Sequence, residues 1–347
     1  MGADISMDST AVLFGMKILI GILPVLVFLL ALIFMDSYKL VRIKTLGLVI
    51  CGGAAAAGLG FLANSELIGF FQNDFTFYSR YVAPLIEESL KAAVLVFFFR
   101  SHRIGFLVDA AILGFATGAG FSVVENIHFL NSAAGANIIV WIVRGLGTAM
   151  MHGATTAAFA SMTKVMTDQR RKGTWTAALP GLGLAFALHS AFNHFILPPL
   201  AATAVMLIAL PLIAINVFVA SERSTRKWLE IGFDTDVELL GLVSAGRFSS
   251  SKIGRYLLSM KDKFSGEVMA DLFCLIRLHL ELSISAKGLL LMKEAGMPVV
   301  PDPGIREKFE ELEYLKKSVG PTGMMTVSPI LHRSRRDLWE LHMLGGK

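Results

Sequence analysis

The sequence predicts an all-α polytopic membrane bundle of about seven spanning helices, followed by a C-terminal helical domain in the cytoplasm. Three observations lead there. Of the 347 residues, 54% are hydrophobic and 17% charged, with a mean hydropathy of +0.62, whereas an ordinary soluble domain carries about a quarter charged residues. Apolar stretches able to cross ~30 Å of hydrocarbon, about 20 residues each, recur up to residue 219. Beyond that point charge returns, for 19 of the 32 basic and 17 of the 27 acidic residues lie from residue 220 onward. With two Cys and no Gly or Pro repeat, the fibrous, disordered and disulfide-stapled classes are excluded.

The seven stretches run over approximately 14–35, 45–64, 80–99, 107–131, 138–162, 174–196 and 199–219. The first is expected to stay as an anchor, because Asp4 and Asp8 precede it where a signal peptide would carry a basic segment. The second holds Cys51, and Cys274 lies in the tail, so no structural disulfide is expected. Loop charges alternate. Lys39, Arg42 and Lys44 follow the first span, Arg100 and Arg103 the third, Lys164, Arg170, Arg171 and Lys172 the fifth, and Arg223, Arg226 and Lys227 the seventh. The intervening loops carry Glu66 and Asp74 or almost nothing, with Arg80 the contrary cation. The positive-inside bias then puts the N-terminus outside and the C-terminus in the cytoplasm. The pI near 9.2 is thereby read as topology, and no nucleic-acid partner is expected.

Two domains follow: a transmembrane bundle over 1–219 and a cytoplasmic tail over 220–347. In the tail, apolar positions at helical spacing in 256–260, 268–280 and 309–315 predict helices. Pro301, Pro303, Gly304, Pro321 and Gly323 punctuate its end. The basic run at 333–336 reads as a solvated or lipid-proximal patch.

An ionisable side chain inside a span costs a few kcal/mol and needs a partner or a task. Four consecutive spans carry a set of them: Glu87, Glu88 and Lys91 in the third, Glu125 and Asn126 in the fourth, Arg144 and His152 in the fifth, His189 and Asn193 in the sixth. At 1.5 Å per residue, Glu88, Glu125, Arg144 and His189 all fall roughly 9–12 Å below the outer surface, with His152 ~12 Å deeper than Arg144. Lys91 follows Glu88 by three positions and Glu87 by four, so it pairs with one acid and leaves the other available. His189 and Asn193, four apart, share a helix face. Gly114, Gly118 and Gly120 permit a close neighbour along the fourth span.

The strings Glu87-Glu88-Ser-Leu-Lys91, Gly118-Ala-Gly-Phe121-Ser-Val-Val-Glu125-Asn126, Arg144 to His152, and His189-Ser-Ala-Phe-Asn193 resemble the PrsW family of intramembrane proteases, a branch of the CAAX-protease and bacteriocin-processing superfamily. Lys91 stands one position earlier than the superfamily's Arg, and Glu125 replaces a His, both as in that branch. The resemblance covers residues 80–196. It implies an intramembrane endopeptidase of a prokaryotic cytoplasmic membrane that cuts a single-span regulator, such as an anti-sigma factor, near its extracytoplasmic side as a step of regulated proteolysis.

On that reading Glu87, Glu88, Lys91, Glu125, His152, His189 and Asn193 form the catalytic set. Glu87 or Glu88 activates water, and Asn193 donates to the developing oxyanion. Glu125, His152 and His189 are candidate ligands of a hydrolytic metal, for which Zn2+ is the commonest choice. The same residues also serve a glutamate-driven hydrolysis without a metal, and both versions stand open. Arg144 reads as a counter-ion, while Asn126, His128, His194 and Asp109 read as structural. Two other classes remain: a transporter or receptor with a buried polar site, which would more often show paired halves, and a non-catalytic scaffold.

Overall fold

The computed structural model describes residues 2–133, 135–169, 173–298, 302–331, 336, 339–340 and 343–344, which hold no strand. Two compact units divide the chain, Met1–Ser221 and Glu222–Lys347. The first contains α1 (Gly2–Met35), α2 (Ile43–Leu67), α3 (Ala83–Arg100), α4 (Leu107–Ser132), α5 (Ala149–Gln169), α6 (Thr174–Asn193) and the beginning of α7 (Pro199–Ser244). Among the described residues, six segments are long and apolar enough to cross a membrane: Val12–Met35, Ile43–Phe71, Leu107–Ser132, Ile138–Asp168, Thr174–Asn193 and Pro199–Ser244. The stretch expected as the third span is α3, packed against α2 and α6. Its 18 residues include Glu87, Glu88, Lys91 and Arg100, too many charges to qualify by composition.

Helix α4 is the hub, with 83% of its most apolar window buried against 22% for α1 and 11% for α7. Glycine makes this burial feasible. A Cβ at Gly118 would collide with the His152 carbonyl on α5, and one at Gly120 with the Ile50 carbonyl on α2, so small residues let the backbones close on one another. Asp109 begins α4 by accepting from the Gly105 and Phe106 N–H groups at 2.9 and 3.1 Å, a capping role.

Two single-turn π segments interrupt the pattern, Tyr78–Val82 ahead of α3 and Val143–Thr148 ahead of α5. The second leads in from the short helix Ile138–Ile142 and contains Gly145, whose Cβ would strike the Ile20 carbonyl of α1. Such a bulge inserts one extra residue into the helical register.

The second unit holds the remainder of α7 with α8 (Lys252–Leu258), α9 (Gly266–Glu294) and α10 (Ile305–Leu331), the last kinked at Gly320, whose φ is 66°. Its core includes Leu257, Leu272, Leu275, Ile276, Leu312 and Val327. Buried Lys287 meets Asp236 at 2.5 Å and Glu340 at 3.3 Å, and the Ser283 hydroxyl bridges both acids. Arg336 binds the Ser224 hydroxyl at 3.0 Å. Arg170, Arg171, Lys172, Pro301, Arg333 and Arg335 lie outside the described residues. Cys51 and Cys274 are both free thiols.

Candidate functional site

Glu88, on the buried face of α3, is the organising group. Its Oε1 accepts from Lys91 Nζ at 2.6 Å, from His189 Nδ1 of α6 at 2.8 Å and from Thr155 Oγ1 of α5 at 3.2 Å. Lys91, buried and lying 4.5 Å over the Phe121 ring, also meets His152 Nδ1 at 3.0 Å. An ammonium can only donate, so Nδ1 of His152 accepts and its Nε2 carries the proton. That N–H donates to Glu125 Oε2 at 3.0 Å.

The other oxygen of Glu125 faces Arg144 Nη2 at 3.3 Å, while Arg144 Nε donates to Asn126 Oδ1 at 2.9 Å and the Asn126 amide to the Gly21 carbonyl at 2.7 Å. In an unbroken helix, Arg144 and His152 would sit ~80° apart around the axis, and the extra residue of the π turn reduces that to ~20°. Both therefore address Glu125. Arg144 is the counter-ion anticipated, and Asn126 the interhelical tie.

Glu87 stands apart. Its Oε1 is 3.5 Å from the Asn64 amide, and its Oε2 lies 3.9 Å from His189 Nε2. Neither Lys91 nor Arg144 forms an ion pair with it among the described residues. The rings of His152 and His189 meet edge to face at 4.9 Å. One ligand atom from each of Glu87, His152 and His189 lies within 4.8 Å of the other two. Glu125, expected as the third ligand beside the histidines, is not in that group, because its two oxygens hold Arg144 and His152.

The donor set suits a metal on two counts. With all three acids ionised, Glu87, Glu88 and Glu125 exceed Lys91 and Arg144 by one negative charge, which in low dielectric calls for a proton or a bound cation. The contact from His189 Nδ1 to the Glu88 carboxylate is the usual way a ligating imidazole is fixed, leaving Nε2 free for the ion. On His152 the lone pair open to a metal is that of Nδ1, where Lys91, itself a cation, now sits.

Asn193 is not aimed at this cluster. Its amide donates to the Ser79 carbonyl at 3.0 Å, tying the end of α6 to the π turn before α3. His194 accepts from Tyr81 at 3.0 Å, and the His128 ring lies tilted against Phe61. Three residues have no place in the sequence reading. Thr155 binds Glu88; Asn64 binds Glu87; and the Tyr78 hydroxyl donates to Asn64 Oδ1 at 2.7 Å. Thr155 follows His152 by one helical turn, and Asn64 is a lone amide near the end of an apolar span, where the polar-in-membrane rule would have flagged it.

The sequence profile of the PrsW family intramembrane metalloprotease matches residues 39–219. No curated protein and no solved structure matches the chain.

Proposed function

Since the chain belongs to the PrsW family of intramembrane metalloproteases, and is therefore an integral membrane hydrolase, we propose that its peptide-bond hydrolysis takes place at the cluster of Glu87, His152 and His189. The observation that carries this reading is the convergence of three ligand atoms within 4.8 Å beside a carboxylate, Glu88, whose contacts lock His189 in one orientation.

Glu87, His189 and, with Lys91 withdrawn from its Nδ1 while keeping its contact to Glu88, His152 would hold the ion, with zinc the choice that best suits two imidazoles and a carboxylate. When bound, the ion supplies Lewis acidity, lowering the pKa of a water and polarising the scissile carbonyl. One oxygen of Glu87 suffices as a ligand, and the other takes the proton of the attacking water and returns it to the leaving amide nitrogen. Glu88 does not exchange protons in this scheme. It fixes His189, and Lys91 offsets its charge. Glu125, clamped by Arg144, fixes His152 through Nε2.

The substrate is a membrane protein, and we assign it as a single-span regulator, of which an anti-sigma factor is one example. Cleavage falls near the extracytoplasmic side of a prokaryotic cytoplasmic membrane. Supporting this, Glu87 and His189 lie near the α3 and α6 ends opposite the basic loops containing Lys39, Arg42, Lys44, Arg100 and Arg103, and those loops face the cytoplasm by the positive-inside bias. The bundle over 1–219 is then the protease and the segment 220–347 a cytoplasmic interaction domain.

Metal exchange tests the scheme. Purified protein in liposomes, stripped with a chelator, is expected to lose cleavage of single-span peptides and to regain it on adding one equivalent of Zn2+, with His189→Ala recovering nothing. Undiminished cleavage by stripped protein, with its metal content confirmed near zero, would remove the ion from the reaction.

A further inference from the structure

Helix α7 is largely exposed over its membrane segment and reaches the core of the bundle through side chains such as Leu210 and Phe218. Thr203 near its start lies against Gly147, and Ser221 accepts from the Val108 N–H at 3.2 Å. Between these points a cavity of about 790 Å³ separates α7 from α1, α5 and α6. Its wall on α7 runs from Ala202 to Phe218 and its wall on α5 from Met151 to Val165, lengths of ~24 and ~21 Å along the helix axes. The slot therefore extends through most of ~30 Å of hydrocarbon. Leu188 on α6 and Val205 and Ile213 on α7 line it and are exposed, so its mouth opens to the bilayer.

Three features identify the occupant. The lining is almost wholly apolar, so nothing there can satisfy an extended backbone, and a peptide must enter with its own hydrogen bonds made, as a helix. The floor on α5 presents Ala154, Ala157, Ala158 and Ser161, side chains small enough for a second helix to approach backbone to backbone. The mean cross-section, about 35 Å², is roughly a third to a half of that of a helix 10–12 Å across with its side chains, the fit of a helix seated partway with its far side still in lipid. The slot is also continuous with the candidate centre. Thr155 lines it and donates its hydroxyl proton to Glu88 at 3.2 Å.

We infer that the slot between α5, α6 and α7 is the lateral docking site for the transmembrane helix of the substrate, and that it delivers this helix along α5 to the cluster behind Thr155. This rests on the protease reading for its purpose and on the cavity for its location.

The two can be separated. A photo-crosslinking amino acid is placed at Ala158, at Ala209 on the facing wall, and at exposed Leu48 on α2 as a control, each in the Glu87→Gln background so that nothing is consumed. The probe is a synthetic peptide with a 20-residue Leu/Ala span, reconstituted with the protein in liposomes containing a clickable acyl-chain lipid. Crosslinks to the peptide from positions 158 and 209, at least tenfold above position 48, are expected. Peptide crosslinks no stronger than the control, or lipid adducts alone at 158 and 209, would overturn the inference. In otherwise wild-type protein, Ala158→Trp fills the slot and is expected to cut cleavage of the same peptide at least tenfold through KM. Ala209→Phe does so from the opposite wall if the first variant fails to fold. Cleavage unaffected by a filled slot refutes the docking site and leaves the protease standing, whereas crosslinking without any cleavage by the wild type refutes the protease and leaves the docking site.

Discussion

Glu87 and Glu88 are adjacent in sequence, yet their surroundings predict opposite consequences for the same substitution. Glu88 is buried and receives three donors, one of them the buried ammonium of Lys91. Glu88→Gln removes the countercharge and leaves Lys91 uncompensated, a change that costs about 3–5 kcal/mol for a buried ion pair. Glu87 makes one long hydrogen bond, at 3.5 Å to Asn64, so Glu87→Gln should alter stability by no more than about 0.5 kcal/mol. Removing a positioned proton acceptor lowers the rate by about 10²–10⁴-fold. Denaturant titration in mixed micelles, paired with cleavage of a single-span peptide by the same preparations, reads both quantities. Glu87→Gln is expected to be stable and inactive, and Glu88→Gln unstable and inactive. The double variant Glu88→Gln/Lys91→Met, with charge removed from both partners, is expected to regain stability without regaining activity. Wild-type cleavage by Glu87→Gln, or wild-type stability of Glu88→Gln, would refute the division of labour.

Three further outcomes follow from the packing. Gly118→Val drives a side chain into the His152 carbonyl, and the displaced α5 should carry His152 off its partners, lowering both stability, by about 1–3 kcal/mol, and cleavage; a variant with unchanged melting and activity would contradict the close α4–α5 approach. Asn193→Ala frees the Ser79 carbonyl and should raise KM more than it lowers kcat if the amide serves to position α3. A loss confined to kcat would favour the oxyanion role. In the second unit, Lys287→Met leaves Asp236 and Glu340 without their shared cation and should destabilise that domain by about 3–5 kcal/mol, read as faster trypsin cleavage within α9; unchanged digestion would show the triad to be dispensable.

Much of this was legible in the sequence because the membrane makes polar residues conspicuous. The rule that an ionisable side chain in a span needs a partner singled out the residues that the fold gathers. The rise per residue likewise places Glu88, Glu125, Arg144 and His189 at one level. What stayed hidden depends on backbone irregularity and on which oxygen faces which helix. The π turn at Val143–Thr148 has no reliable signature beyond Gly145 and Gly147, and without it Arg144 and His152 appear on different faces. That Glu125 serves as a clamp while Glu87 turns toward the histidines is set by rotamers and by Asn64, a residue from a span that otherwise reads as plain anchor. The slot beside α7 was equally out of reach, since periodicity marks an apolar face without saying whether lipid or another helix covers it.

The claim that the polar residues of four helices form one hydrolytic centre is tested most directly by the products it makes. Purified wild-type protein and His189→Ala are reconstituted in liposomes with single-span peptides, and the digests are weighed by mass spectrometry. The account predicts that the wild type yields fragment pairs whose masses sum to the parent plus one water, cut in the span half nearer the Glu87 level, and that His189→Ala yields none. Intact peptide with the wild type, or the same fragments from both proteins, would contradict it.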